Sequence, residues 1–330
     1  MPVQVTIVGL GQIGASIGLA LAGQKDKITR QGHDRRPEVA RQAEKAGAID
    51  KFDYNLPSAV RKADLVILAL PAGELRETFE IIAADLKEEA VVLDTAPIKE
   101  AVSQWAKELL PPNRHYIGIT PAINPVYLLS HENGVEAAHA DLFQGGLMAV
   151  VVPPGTSSEA VKLAVDLIGL LGASPLFADP VEIDSLLSAT HLLPQLLGAA
   201  ILNATIDQPG WREGRKLAGK PYAQVSAPFV EGEDPRALGS ATVLAQESLV
   251  RSIDRIIAVL QSYRNDIKEK DNETLSTRLE QARLGRETWW KQRQAGDWAV
   301  AELSQGVDMP RPGDFFARLV CLGGRKAKRK

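Results

Sequence analysis

Apolar residues in the first half of the chain fall in short continuous runs rather than in alternation. Residues 65–70, 90–94 and 147–152 are the clearest, while residues 3–8, 28–33 and 116–119 are rich in β-formers and read as further strands. Runs of that length without polar alternation predict strands buried on both faces, as in a parallel sheet. Between them lie stretches that predict helices at 15–22, 37–46, 73–85, 97–110 and 158–171. Pro37 stands in the first turn of one of these and Gly47 is placed to end it. A last strand is expected at 174–177. Strands alternating with helices at this spacing imply βαβ units and a doubly wound sheet. The pattern breaks at 120–146, where Pro121, Asn124, Pro125, His131, Asn133, Gly134 and His139 make a long loop. A loop of that length in a compact domain marks function or disorder. Its place after a strand favours function.

From residue 179 onward the pattern changes. Helical periodicity appears at 181–206, 241–263 and 272–292, and no strand is expected. Residues 186–206 are apolar enough to imitate a membrane helix. The stretch contains His191, Pro194, Gln195, Asn203 and Thr205 and has no basic flanks, so it reads as the buried central helix of a helical domain. The expected layout is therefore an α/β domain over 1–178 and an all-α domain over 179–322 that forms a homodimer. A basic disordered tail follows at 323–330. No internal repeat is seen.

Composition narrows the class. At 330 residues, with 45% apolar residues and a net charge of −3, the chain reads as a soluble two-domain protein rather than a polyanion binder. One cysteine excludes a disulfide framework or a cysteine metal site, and the five histidines lack metal-ligand spacing. The first apolar run is a strand and not a signal peptide, so the expectation is a cytoplasmic protein with no membrane and no nucleic-acid partner.

The strongest chemical signal follows the first strand. Gly9, Leu10, Gly11, Gln12, Ile13 and Gly14 form a complete G-x-G-x-x-G between strand and helix. Gly9 suits the tight turn, Gly11 admits a pyrophosphate, and Gly14 lets helix and strand pack closely. The helix N-terminus offers N–H groups and a positive dipole end to phosphates. Asp34 ends the second strand, where a carboxylate would hold the ribose hydroxyls, and it also suits a helix cap ahead of Pro37. NAD is the favoured cofactor, because Asp34 would repel a 2′-phosphate. Arg35 and Arg36 leave NADP open. Leu70 and Pro71 after one strand, and Thr95 after the next, complete the candidate cofactor edge. The fold class is a Rossmann-type doubly wound sheet followed by an all-α domain.

The order of VGLGQIGASIGLAL, GHDRRPE, ADLVILALP and VVLDTAPIKEAV resembles the prephenate and arogenate dehydrogenase family of tyrosine biosynthesis. SATHLLPQLLGAAILN and LAGKPYAQVSAPF are similar to that family's helical-domain motifs in a fainter way. The resemblance implies oxidative decarboxylation: hydride passes to the nicotinamide, a histidine accepts the hydroxyl proton, a serine orients the hydroxyl, and an arginine binds a carboxylate. This sequence departs from the family at those places. Gly-Gly-His-Pro-Met-Ala-Gly reads here from Gly118 to Asn124, with Thr120 at the histidine position. Pro97 stands at the serine position, while Lys99 is kept. Alignment through Ala218 and Gly219 puts Ala227 at the arginine position.

Three residues are the candidates for catalysis: His191, Lys99 and Thr120. His191 could equally be a core histidine, and Lys99 could be a desolvated acid/base or carboxylate anchor, or a solvated surface lysine. Asn124, Arg212 and Arg215 are the candidates for substrate binding, the arginines as replacements for the carboxylate anchor. No metal is expected. Three functions stay open: a prephenate/arogenate-type dehydrogenase, a dehydrogenase or reductase of the same architecture with another small carboxylate or imine substrate, and a cofactor-binding regulatory protein without turnover.

Overall fold

A computed structural model of the chain describes residues 2–231 and 234–296, and the expected basic tail at 323–330 lies outside them. The described residues divide into two compact units, one up to 184 and one from 185 on.

The first unit carries eight strands: β1 (Val3–Val8), β2 (Ile28–His33), β3 (Lys51–Phe52), β4 (Leu65–Leu68), β5 (Val91–Asp94), β6 (His115–Pro121), β7 (Leu147–Val151) and β8 (Ser174–Phe177). They form one sheet in the order β3-β2-β1-β4-β5-β6-β7-β8. All pairs are parallel except β6 with β7, which is antiparallel. Helices α1 (Gln12–Ala20), α2 (Pro37–Lys45), α3 (Leu56–Val60), α4 (Leu75–Ile82), α5 (Glu100–Leu109) and α6 (Ser158–Leu170) connect them. One continuous core joins Val5, Ile7, Leu65, Ile67, Leu93 and Ile117 of the strands to Ala15 and Ile17 of α1 and Leu163 and Leu167 of α6. The intervening residues Val66, Leu68 and Val92 are also fully buried. Both faces of the sheet are covered, which is why β4 and β5 carry near-continuous apolar runs.

Local differences from the sequence pattern have physical causes. β6 extends through Thr120 and Pro121, because antiparallel pairing opposes them to Ala149 and Met148. Strand β4 ends at Leu68, and Ala69 turns beside Gly9: its carbonyl oxygen lies 2.3 Å from where a Cβ on Gly9 would stand. Helix α5 starts at Glu100 rather than at Pro97. The two-residue β3 and five-residue α3 are too short for a periodicity signal.

The second unit is helical. Helix α7 (Pro180–Leu187) leads into a π-turn (Ser188–Leu192) and α8 (Leu193–Thr205). The expected single helix at 181–206 is thus interrupted. Pro194 has no N–H to give the carbonyl four residues back, and a widened turn absorbs the misfit. By length and composition Pro180–Thr205 would suffice to cross a membrane, yet 28% of its apolar window is buried within the described residues. Among the described residues it is therefore not enclosed as the expected buried central helix. Helices α9 (Trp211–Leu217), α10 (Lys220–Glu231), α11 (Pro235–Leu244), α12 (Gln246–Glu269) and α13 (Asn272–Ala295) complete the unit. The expected helix at 241–263 is two helices that meet at Ala245. Ser188 in the π-turn and Ser248 on α12 share a buried hydrogen bond of 2.8 Å.

Candidate active site

The carboxyl end of β1 presents the glycine turn. Gly9 has φ +86°, a conformation that L side chains rarely adopt, and a Cβ there would strike Ala69. A Cβ on Gly14 would lie 1.9 Å from the Gly9 carbonyl oxygen, so α1 packs against the turn only because residue 14 is glycine. Gly11 is different: a Cβ there meets nothing within 4 Å. Gly11 is also the N-cap of α1, makes no side-chain cap, and is followed by a first turn without acidic residues. The turn thus leaves space and N–H donors together, which suits a diphosphate.

Asp34 follows β2 and joins this turn. Its Oδ2 accepts the Leu10 N–H at 2.9 Å, and its Oδ1 accepts the Arg36 N–H at 2.8 Å. The N-cap of α2 is Arg36, so Asp34 forms a local turn ahead of the helix rather than capping it. Arg35 is exposed and pairs with Glu74 at 3.4 Å. Leu70, Pro71 and Thr95 are half-buried where β4 and β5 end. The Thr95 N–H donates to Leu68 O at 3.0 Å, which ties the two exits together. Gln12 and Ile13 sit half-buried in the first turn of α1.

A charged cluster lies under the exit of β5. Lys99 Nζ donates to Asp94 Oδ1 at 2.6 Å, and neither side chain is exposed to solvent. Tyr116 Oη donates to Asp94 Oδ2 at 2.6 Å. Asp184 accepts the N–H groups of Lys99 and Glu100 at 2.6 and 3.1 Å, capping α5 from a distance. Burial pushes the Asp94 carboxyl up and the Lys99 ammonium down, and each charge opposes the shift of the other. Burial, and then the Asp94 charge, push the Tyr116 phenol well up. Burial raises the Asp184 carboxyl against the pull of its two N–H donors. Lys99 is therefore not the solvated lysine of the alternative reading. Asp94, Tyr116 and Asp184 escaped the sequence reading. The one available signal was a carboxylate closing the otherwise apolar run of β5.

Thr120 Oγ1 donates to Ala96 O at 2.9 Å. Asn124 caps a short turn: its side chain accepts the Val126 N–H at 3.1 Å and donates to Asp141 O at 3.3 Å. The loop around it is ordered by contacts. Tyr127 stacks on His139 with ring centroids 4.1 Å apart, and the His139 N–H donates to Ser16 Oγ of α1 at 3.0 Å. His191, Arg212 and Arg215 belong to the second unit: His191 is exposed on the π-turn, and both arginines are exposed on α9.

Residues 17–175 match the family model of the prephenate dehydrogenase nucleotide-binding domain. The chain is similar to members of the prephenate and arogenate dehydrogenase family. It is 23% identical over 285 residues to the cyclohexadienyl dehydrogenase of Zymomonas mobilis, covering 86% of this chain and 94% of that protein. It is 23% identical to the prephenate dehydrogenase of Bacillus subtilis, covering 82% of this chain and 72% of that one. Its fold is similar to that of the prephenate dehydrogenase from A. aeolicus in complex with hydroxyphenyl propionate and NAD+, with a TM-score of 0.76 at 20% identity. That match covers 87% of this chain and 98% of the other. Synechocystis arogenate dehydrogenase matches with a TM-score of 0.67 at 21% identity, covering 87% and 99%. These similarities support an NAD(P)-dependent dehydrogenase. The glycine turn precedes the matched span and is read from its own geometry.

Proposed function

We propose that this protein oxidises a small carboxylate-bearing substrate of the prephenate or arogenate type, with NAD as its cofactor. The observation that carries the cofactor half is the Asp34 carboxylate lying against the glycine turn, 2.9 Å from Leu10 N. Gly11 and the first turn of α1 would hold the diphosphate, and Asp34 the ribose hydroxyls. A 2′-phosphate at the same place would meet the Asp34 charge. When bound, the nicotinamide supplies the hydride acceptor.

A threonine hydroxyl is no base near neutral pH, and Thr120 already gives its proton to Ala96 O. Lys99 is committed to Asp94. His191, exposed on its π-turn, is the candidate that remains for the hydroxyl proton, with Arg212 and Arg215 as candidate carboxylate anchors. Thr120, Pro97 and Ala227 at three family positions favour a second reading, a dehydrogenase of this architecture with another small carboxylate or imine substrate.

We take the protein to act in the cytoplasm as a homodimer joined through its helical unit. Exposed apolar side chains there, among them Leu217, Val230 and Val243, support that reading. The test is nicotinamide reduction by the purified protein, offered NAD and NADP with prephenate and with arogenate. Turnover with either substrate supports the first reading. Cofactor binding without turnover moves the assignment to the second, or to a cofactor-binding regulatory protein that turns nothing over.

A further inference from the structure

The peptide at Ala96 is held from both sides. Its N–H donates to Asp94 Oδ1 at 2.9 Å, and its carbonyl accepts the Thr120 hydroxyl at 2.9 Å. Asp94 cannot swing away, because Lys99 and Tyr116 each hold one of its oxygens at 2.6 Å. Asp184 fastens the start of α5 beyond it. Pro97, with its fixed φ, lies between these two anchors. A segment that leaves a strand as a loop is thereby secured at four successive points, from Asp94 to Glu100.

Its position gives this rigidity a use. The sheet order sets β2, β1, β4, β5 and β6 side by side. Ligands of open α/β sheets lie outside the carboxyl ends of the strands. With the adenosine ribose at Asp34 beyond β2 and the diphosphate at the turn beyond β1, the other nucleoside continues over the exits of β4 and β5. The segment from Thr95 to Pro97 is that exit of β5.

We propose that Asp94 and Thr120 are positioning residues for the nicotinamide: together they clamp the Ala96 peptide and fix the wall of Thr95 to Pro97 on which the ring rests. The proposal builds on the nucleotide site proposed above. On this account Thr120, at the family's histidine position, holds the cofactor wall and moves no proton. Gly118 is part of the device. A Cβ there would lie 2.8 Å from Lys99 Cδ and 3.1 Å from Tyr116 Oη, so only glycine leaves room for the cluster.

The experiment titrates the full-length protein with NAD+ and with ADP-ribose, which lacks the nicotinamide, by calorimetry. Thr120→Val keeps the shape and removes the donor. It should weaken NAD+ by about three- to tenfold, the worth of one hydrogen bond between neutral groups, and leave ADP-ribose unchanged. Thr120→Ser restores the donor and should restore NAD+ affinity. Gly118→Ala disturbs the cluster from the other side and should give the same selective loss. A general loss of stability would weaken both ligands alike, so equal losses overturn the proposal, as does NAD+ affinity unchanged in Thr120→Val. A wild-type protein that binds neither ligand overturns the nucleotide site and the clamp with it. Equal wild-type affinity for the two ligands overturns the clamp alone.

Discussion

Arg30 and Asp50 form an ion pair of 2.6 Å in which the guanidinium is 1% exposed and the carboxylate 29%. Arg30 also donates to the carbonyls of Gly18, Gly47 and Ala48, at 2.8, 2.8 and 3.2 Å. One side chain on β2 therefore ties α1 to the segment that enters β3. Arg30→Met leaves Asp50 in reach of water but strips these carbonyls of their donor. It should cost about 1–3 kcal/mol, the penalty of a buried acceptor left unsatisfied, read as a lower urea midpoint at unchanged slope. A midpoint within experimental error of wild type would show that water replaces the arginine without cost.

The same pair gives a pH dependence. Burial pushes the Asp50 carboxyl up, but the hydrogen bonds and charge of Arg30 outweigh it and hold the group below its ordinary value. A carboxylate depressed in the folded state stabilises the fold above its unfolded pKa of about 3.9. That contribution is lost as the pH falls below about 4 toward the folded value. Asp50→Asn should therefore be less stable than wild type at pH 7, and the gap should narrow at pH 3. A gap that is constant with pH would remove the ionic part of the argument.

Gly11 and Gly14 separate binding from folding. Space is open around Gly11, whereas a Cβ on Gly14 would overlap the Gly9 carbonyl. Gly11→Val should keep the wild-type melting temperature within a few degrees and lose nucleotide affinity by at least about a hundredfold, on the premise that the diphosphate needs this space. Gly14→Val should unfold the domain. Calorimetry and circular dichroism on both variants check this, and retained NAD binding in Gly11→Val would displace the site.

Asp34 decides between the two nicotinamide cofactors. Asp34→Ala removes ribose contacts and also the repulsion of a 2′-phosphate. NAD affinity should fall about tenfold or more while NADP affinity rises or holds, since a hydrogen bond to a charged group is worth about 1.5–3 kcal/mol. Equal losses for both cofactors would reduce Asp34 to its hydrogen bonds with Leu10 and Arg36.

Asp94 and Lys99 must be removed together to be removed cheaply. Lys99→Met alone leaves a buried carboxylate beside Tyr116 and should cost about 3–5 kcal/mol. Adding Asp94→Asn should recover most of it, because a buried pair replaced by neutral groups of similar volume is close to neutral. Chemical denaturation of the two single variants and the double variant measures the coupling, and purely additive losses would contradict it.

How far the sequence speaks depends on distance along the chain. All strands but β3, the glycine turn and the exit residue Asp34 were legible, because the central buried strands are rich in apolar β-formers and the tight turn at Gly9 takes a positive φ. The π-turn was not, although Pro194 was in plain view: a proline inside an apolar run signals a break without saying how the helix repairs it. Helix α10 keeps Pro228 inside it and offered no clean periodicity.

By itself the sequence determined the doubly wound domain, the helical region after it and the glycine turn between β1 and α1, since each rests on local patterns of burial and backbone freedom. Only the tertiary structure decided what surrounds Lys99. Parallel pairing brings Asp94 opposite Gly118, two residues from Tyr116, and Asp184 arrives from 85 residues further on to meet the Lys99 N–H. No pattern along the chain encodes such a meeting, because the groups become neighbours only when sheet register and helix packing close around them. Burial then turns an unremarkable lysine and aspartate into a fixed pair, because charges taken out of water must find each other.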